Sequence, residues 1–179
     1  MSVQIRRKTG AGETATDITS INTRLNAEDA HSTAGTTNSI LKPSSGTNYS
    51  YWCTTRLYYN GAGTGTINNI KWFTDGTNSL GTGRGLSVGT ATGYVQATGT
   101  AGETGTVLNG TNYSGFTLGN ANAFTYTSAS PLSVTGTVTN PSSEDFGHYV
   151  VMQASVADTA SAGASSAETI SWRYDSTIA

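Results

Sequence analysis

The sequence predicts an all-β protein: an antiparallel β-sandwich, Ig-like or jelly-roll-like, with an extended N-terminal arm. Three observations lead there. From Ser39 to Asp175 apolar residues recur with a period of two, the repeat of a strand rather than of a helix. Clusters of Gly, Asn, Asp and Thr break that pattern at short intervals, and 22 of the 179 residues are glycine. Charged residues make up only 11% of the chain, against about 25% in ordinary domains, while Thr, Ser, Tyr and Val suit a pleated surface. Low charge with high glycine also permits disorder, but three Trp and nine Tyr argue against it.

Residues 1–36 read as an arm and a polar lead-in, and residues 37–179 as the sandwich domain. Between Met1 and Gly12 only Val3 and Ile5 are large aliphatic anchors. Ordering costs about 1–2 kcal/mol per residue, so this stretch is expected to order only against a partner. The basic cluster Arg6-Arg7-Lys8 would supply charged contacts there, with Val3 and Ile5 as a short strand edge. The run 17–31, "DITSINTRLNAEDAH", is the one helical candidate. Ile18, Ile21 and Leu25 are spaced i, i+3, i+7, and Asp17 is a capping residue.

"YSYWCTTRLYY" (49–59) reads as one long strand. Tyr49, Tyr51, Cys53, Thr55, Leu57 and Tyr59 share one face, and Ser50, Trp52, Thr54, Arg56 and Tyr58 the other. Aromatics on both faces imply a strand covered on both sides or facing a neighbouring chain. After "NGAGTG", "INNIKWFT" (67–74) reads as its hairpin partner. "RGLSV" and "TGYVQAT" are short strands. Residues 99–122 form a long Gly/Thr/Asn-rich loop with few anchors. "FTYTS" and "LSVTGTV" resume strand character. In the C-terminal pair, Val150, Met152, Ala154 and Val156 share one face, as do Ile170, Trp172 and Tyr174. Ile170, Trp172, Val150 and Met152 are expected to meet in one core. The pentapeptide Gly-Thr-Asn-Tyr-Ser occurs at Gly46–Ser50 and again at Gly110–Ser114. Its flanks differ in spacing and polarity, so the two copies read as turn-to-strand entries rather than an internal repeat.

Chemistry-bearing motifs are weak. "GLSVG" (85–89) matches the nucleophile elbow, which needs a strand before Ser87 and a helix after it; an extended, Gly-broken run follows instead. Asp145 and His148, the candidate triad partners, lie three residues apart. Glu28, Asp29 and His31 are a local trio short of a zinc set, and Glu144, Asp145 and Asp158 lack EF-hand spacing. No Walker loop, dinucleotide fingerprint or CxxC occurs. No catalytic residue, metal site or cofactor is therefore expected, and the chain does not read as an enzyme. Trp52, Tyr58 and Tyr49, if they lie together outside, would form a platform for sugar rings or a partner subunit; the plainer reading is a core cluster. Cys53 is a small buried hydrophobe.

The net charge of −2 gives no nucleic-acid footprint, and no stretch approaches the roughly 20 apolar residues of a membrane span. The opening "MSVQIRRKTGAGETATD" holds no export-signal hydrophobic region, which points to a cytoplasmic site of synthesis and assembly.

Two stretches carry a resemblance. "GHYVVMQASVADTASAGASSAETISWRYD" (147–175) resembles the last two strands of β-sandwich structural proteins from tailed-bacteriophage virions. "INNIKWFTDGTNSLGTGRGLSVGTATGYVQA" (67–97) is similar to their middle portion, where a strand with "IKWF" leads through a Gly-rich turn to an L-x-V-G segment. The resemblance implies a capsid decoration or cement protein, a head fibre or an Ig-like module. Such a protein would sit on the virion, oligomerise, and bind the major capsid protein or other virion proteins. The alternative is a carbohydrate-binding module that attaches to host-surface glycans.

Overall fold

The computed structural model describes residues 2–33, 37–117 and 121–179. Strands hold 44% of the residues and helix 2%, and every ladder is antiparallel. The larger sheet contains β1 (Ser2–Thr9), β2 (Thr14–Asp17), β3 (Thr47–Tyr49), β4 (Cys53–Ala62), β6 (Arg84–Ala91), β9 (Ala121–Asn122) and β12 (Ser142–Ala157). Its order is β2-β1-β4-β12-β6-β9, with β3 also paired to β12. The smaller sheet is built on β5 (Thr66–Thr74). β10 (Leu132–Ser133) and β11 (Val138–Thr139) share one side of it, and β13 (Ile170–Ser176) takes the other. β7 (Gly99–Thr100) and β8 (Thr104–Gly105) make a small ribbon.

The two sheets face each other across one core. Cys53, Leu57, Val88, Phe146, Val150 and Met152 come from the larger sheet, and Ile67, Ile70, Trp72 and Leu132 from the smaller. Ile170, Trp172 and Tyr174 pack against the same cluster, as the alternation predicts. A second cluster covers the outer face of the larger sheet. There Trp52, Tyr149 and Val151 meet Leu108 and Tyr113, which the 92–117 segment lays over them. Alternate residues of β12 thus serve two cores, Val150 and Met152 one, Tyr149 and Val151 the other.

Bulges reconcile sequence spacing with this layering. Ile67 and Ile70 are three apart yet both fully buried. Asn69 takes φ +50° and the β5–β13 register shifts there, placing Asn68 and Asn69 both outside. The extra residue lies on β5, so β13 keeps its alternation.

Several expectations are corrected. Residues 2–9 are not an arm that waits for a partner. β1 lies inside the larger sheet, pairing β4 over Ser2–Lys8 and β2 over Arg6–Thr9. The sequence alone shows too little apolar surface there because one of the strand's two partners, β4, lies about fifty residues away. Of the 1–36 segment, Ser2–Thr9 and Thr14–Asp17 are thus strands of the larger sheet; residues 1 and 34–36 lie outside the described ones. The helix expected over 17–31 is absent: Asp17 Oδ1 accepts from the backbone N–H (2.9 Å) and hydroxyl (2.6 Å) of Thr19, closing a turn. Ile18 then drops into the core side while Thr19 Oγ1 accepts from Ile5 N. The 49–59 strand is interrupted at Ser50–Trp52, where Tyr51 N donates instead to Asn26 O. β5 is not the hairpin partner of β4; the Ala62–Thr66 link crosses to the other sheet.

The 99–122 segment is largely irregular, but it has anchors. Leu108 and Tyr113 are fully buried. Gln153, also buried, donates from Nε2 to Ser50 O (2.7 Å) and Thr106 O (2.8 Å) and accepts at Oε1 from Leu108 N (2.7 Å). Gly105 lies so close that a Cβ there would meet Ser50 O at 2.2 Å. Residues 118–120 of the segment lie outside the described ones. The two Gly-Thr-Asn-Tyr-Ser copies differ: the first enters β3, the second lies in a turn that buries Tyr113.

Candidate functional site

One side of the sandwich is open. β1 forms part of one lip and β13 the other. Toward the C-terminus a cavity of about 310 Å³ lies between Val3, Tyr59, Ile67, Tyr174 and Ile178. Farther along, a groove of about 560 Å³ is lined by Ile5, Ile18, Ile21, Leu25, Leu80, Leu86, Met152 and Ile170, with Thr, Ser and Asn at its rim. Ile21, at this groove, is 47% exposed. β13 pairs only with β5 among the described residues, so its outer edge offers free backbone donors and acceptors. The side chains beside that edge alternate: Ile170, Trp172 and Tyr174 point inward, while Arg173 and Asp175 are exposed on the outer face. Asn69 Nδ2 donates to Asp175 Oδ2 at 2.9 Å, and the Arg173 guanidinium lies 5.8 Å from the Phe73 ring centre.

The N-terminal basic residues do not form a charged patch. Arg6 stacks 3.2 Å over the Tyr58 ring and donates to Gln4 Oε1. Arg7 points into the sandwich, buried, donating to Thr23 Oγ1 and Arg24 O, both at 2.7 Å. Lys8 points to the opposite face and is only 6% exposed; Nζ lies 2.5 Å from Asp145 Oδ2 and 3.7 Å from Glu13 Oε1. Val3 and Ile5 are half-buried against the core. Of the five residues expected to meet a partner, Arg7 and Lys8 are therefore withdrawn inside by their pairing partners. Val3 and Ile5 line the open side.

Around Lys8 the sheet's outer face carries a polar network. Tyr149 donates its hydroxyl to Glu13 Oε1 at 2.6 Å and receives Arg56 Nη1 at 3.2 Å. Burial first, then the hydrogen bond to Glu13, pushes the Tyr149 phenol up to about 12. Tyr94 donates to Gly10 O, tying the 92–117 segment to the β1–β2 turn.

No family model, curated protein or solved structure matches the chain.

The remaining candidates are dispersed by the fold. Ser87 lies within β6, opposite Gln153 and Asn122, with no helix after it. Asp145 is held by Lys8, and His148 N donates to Thr135 O; the elbow geometry is not formed. Glu28 accepts from Asn38, Asp29 from Gly10 N, and His31 Nδ1 contacts Thr23 Oγ1. Glu144 accepts from Ser142 N and Asp158 from Gly46 N, at separate places. Among the described residues no group of three His, Cys, Asp or Glu is placed to hold a metal ion. None of the described helices is long and apolar enough to cross a membrane. The aromatic platform is dismantled. Trp52 is buried, 5.4 Å from Tyr113 by ring centres, and donates Nε1 to Val95 O. Tyr58 lies under Arg6. Cys53 is fully buried, and burial pushes its thiol pKa up.

Sequence reasoning missed Gln153, Glu13 and Tyr149. One signal was available for Gln153, a lone amide within "VVMQA". Nothing local marks Glu13, whose hydrogen-bond partner Tyr149 lies 136 positions away.

Proposed function

We propose that this protein is a structural subunit of a tailed-phage virion, a capsid-surface decoration or cement protein that assembles with copies of itself and with the capsid lattice. The observation that carries the reading is the unpaired β13 edge beside the open side of the sandwich. A row of free backbone groups next to half-buried apolar side chains is the surface that strand addition covers. The edge is also self-complementary. Antiparallel pairing of two copies about Tyr174 sets Arg173 against Asp175 of the partner subunit, twice by symmetry, and Tyr174 against its own counterpart. Opposite charges and aromatic pairs across strands each add about 0.2–1 kcal/mol. The resemblance of residues 67–97 and 147–175 to virion β-sandwich proteins supplies the particle. No observation favours glycan binding, since Trp52 is enclosed.

Two measurements test this. Mass spectrometry of virions purified from cells carrying the encoding genome should find the chain at stoichiometric level; its absence refutes the virion role. Analytical ultracentrifugation should show an oligomer that Arg173→Asp weakens by setting like charges opposite each other. A wild-type monomer at high concentration refutes edge pairing.

A further inference from the structure

We propose that Lys8 and Asp145 join covalently, forming an isopeptide bond between β1 and β12 with Glu13 as the proton carrier. This inference is independent of the virion reading. Lys8 Nζ is 2.5 Å from Asp145 Oδ2, and the carboxyl carbon it would attack is one bond beyond that oxygen. Glu13 Oε1 lies 3.7 Å from the same Nζ. Tyr149 positions Glu13 through a 2.6 Å hydrogen bond, and Arg56 in turn holds the Tyr149 hydroxyl at 3.2 Å.

Two features distinguish this arrangement from an ordinary ion pair. Lys8 is 6% exposed, and a buried ion pair repays its desolvation only when its remaining oxygens are satisfied. Asp145 Oδ1 is buried and has no hydrogen-bond partner among the described residues. An orphaned oxygen is costly on a carboxylate and much less so on a neutral amide carbonyl.

The reaction is a condensation. A proton passes from the Lys8 ammonium to the Asp145 carboxylate, leaving a free amine and a carboxylic acid. The Nζ lone pair attacks Cγ of Asp145 while the Glu13 carboxylate takes a proton from Nζ. The Cγ–Oδ2 bond then breaks, and Glu13 returns that proton to the departing oxygen, which leaves as water. Amine plus acid gives amide plus water, with no redox change and no co-reactant. Glu13 is about a third exposed, which gives the water a way out. The bond would close a loop across 137 positions, fastening the N-terminal strand to the central one.

The test is the intact mass of the full-length recombinant chain under denaturing conditions. The expected mass is that of the sequence less one water, with a proteolytic fragment in which the Lys8 and Asp145 peptides are joined. Lys8→Arg and Glu13→Gln should restore the full mass, and Asp145→Asn should cross-link with loss of ammonia instead of water. Circular dichroism checks that Glu13→Gln, a rim residue, remains folded. Wild-type protein that keeps its full mass after prolonged incubation near neutral pH overturns the proposal. So does loss of water without the joined peptide. Cross-linking of Glu13→Gln at the wild-type rate overturns the assignment to Glu13.

Discussion

Replacing Gln153 by Leu isolates what fastens the outer layer to the larger sheet. The two side chains are similar in size, so little cavity opens, and the cost falls on hydrogen bonds. Three backbone groups lose their partner: the buried carbonyl of Ser50, the buried N–H of Leu108 and the part-buried carbonyl of Thr106. Each orphaned buried group costs about 1–3 kcal/mol. Relaxation of the 92–117 segment recovers part of that, so the expected total is about 3–6 kcal/mol. That is a large share of the roughly 5–15 kcal/mol that holds a domain together. Urea unfolding reads it as a fall in midpoint at constant slope. Amide exchange should also speed up over residues 98–117 before the rest of the sheet opens. A loss below about 1 kcal/mol, with unchanged exchange in that segment, would show that Gln153 does not pin the layer.

Other outcomes follow from the same contacts. Deleting residues 2–9 should abolish cooperative unfolding, because β1 is an inner strand carrying Arg7 and Lys8 into buried sites; a truncated chain with wild-type stability refutes that placement. Desolvation first, then the Arg7 charge, hold the His31 pKa below its ordinary value. The folded state then binds protons less readily than the unfolded one, so the contribution is complete above about pH 6.5 and is lost as pH falls through the folded value. His31→Asn should flatten the stability–pH curve in that window, and a curve that keeps its slope counts against the effect. Cys53 should resist thiol reagents until the chain unfolds, since it is fully buried and its pKa is raised; rapid labelling of native protein would contradict the packing.

The alternation of β12 and β13 was legible because each face of a strand meets one environment. Val150, Met152, Ile170 and Trp172 could be assigned to one core without knowing that their strands lie in opposite sheets. Reading failed where the fold departs from simple pairing. Tyr51 and Trp52 are consecutive yet join the same outer cluster, because the chain breaks from the ladder at Ser50–Trp52. Ile18, Ile21 and Leu25 carry a helical spacing that a turn at Asp17 overrides. Arg6-Arg7-Lys8 read as a charged cluster for a partner. In a strand, successive residues point to opposite faces, which sends Arg7 and Lys8 into different buried sites. Neither partner, Thr23 nor Asp145, is marked by local pattern. The candidate site was legible only in part: Val3 and Ile5 do line the open side, whereas the β13 edge depends on which strand ends up outermost.

The layering confines where a partner can add. The larger sheet is covered on both faces, by the smaller sheet and by the 92–117 segment, so its strands act as core. One end of that sheet is a four-residue strand leading into the turn that Asp17 closes, and the other is the two-residue β9; both are too short to template a neighbour. The smaller sheet is the exception. Its outer face is polar, with Lys71, Arg173 and Asp175, and one of its edges is a seven-residue strand without proline or a bulge of its own. Regular, unblocked edges are what most proteins avoid, because they pair indiscriminately. Here the paired charges at 173 and 175 restrict the choice: an antiparallel copy centred on Tyr174 gains two ion pairs, while a copy shifted by one residue to centre on Arg173 sets like charges together. In the proposed edge pairing, specificity rests on these two side chains. Exchanging them, Arg173→Asp together with Asp175→Arg, should preserve assembly that either change alone weakens. Failure of the double exchange to restore it would place the contact elsewhere.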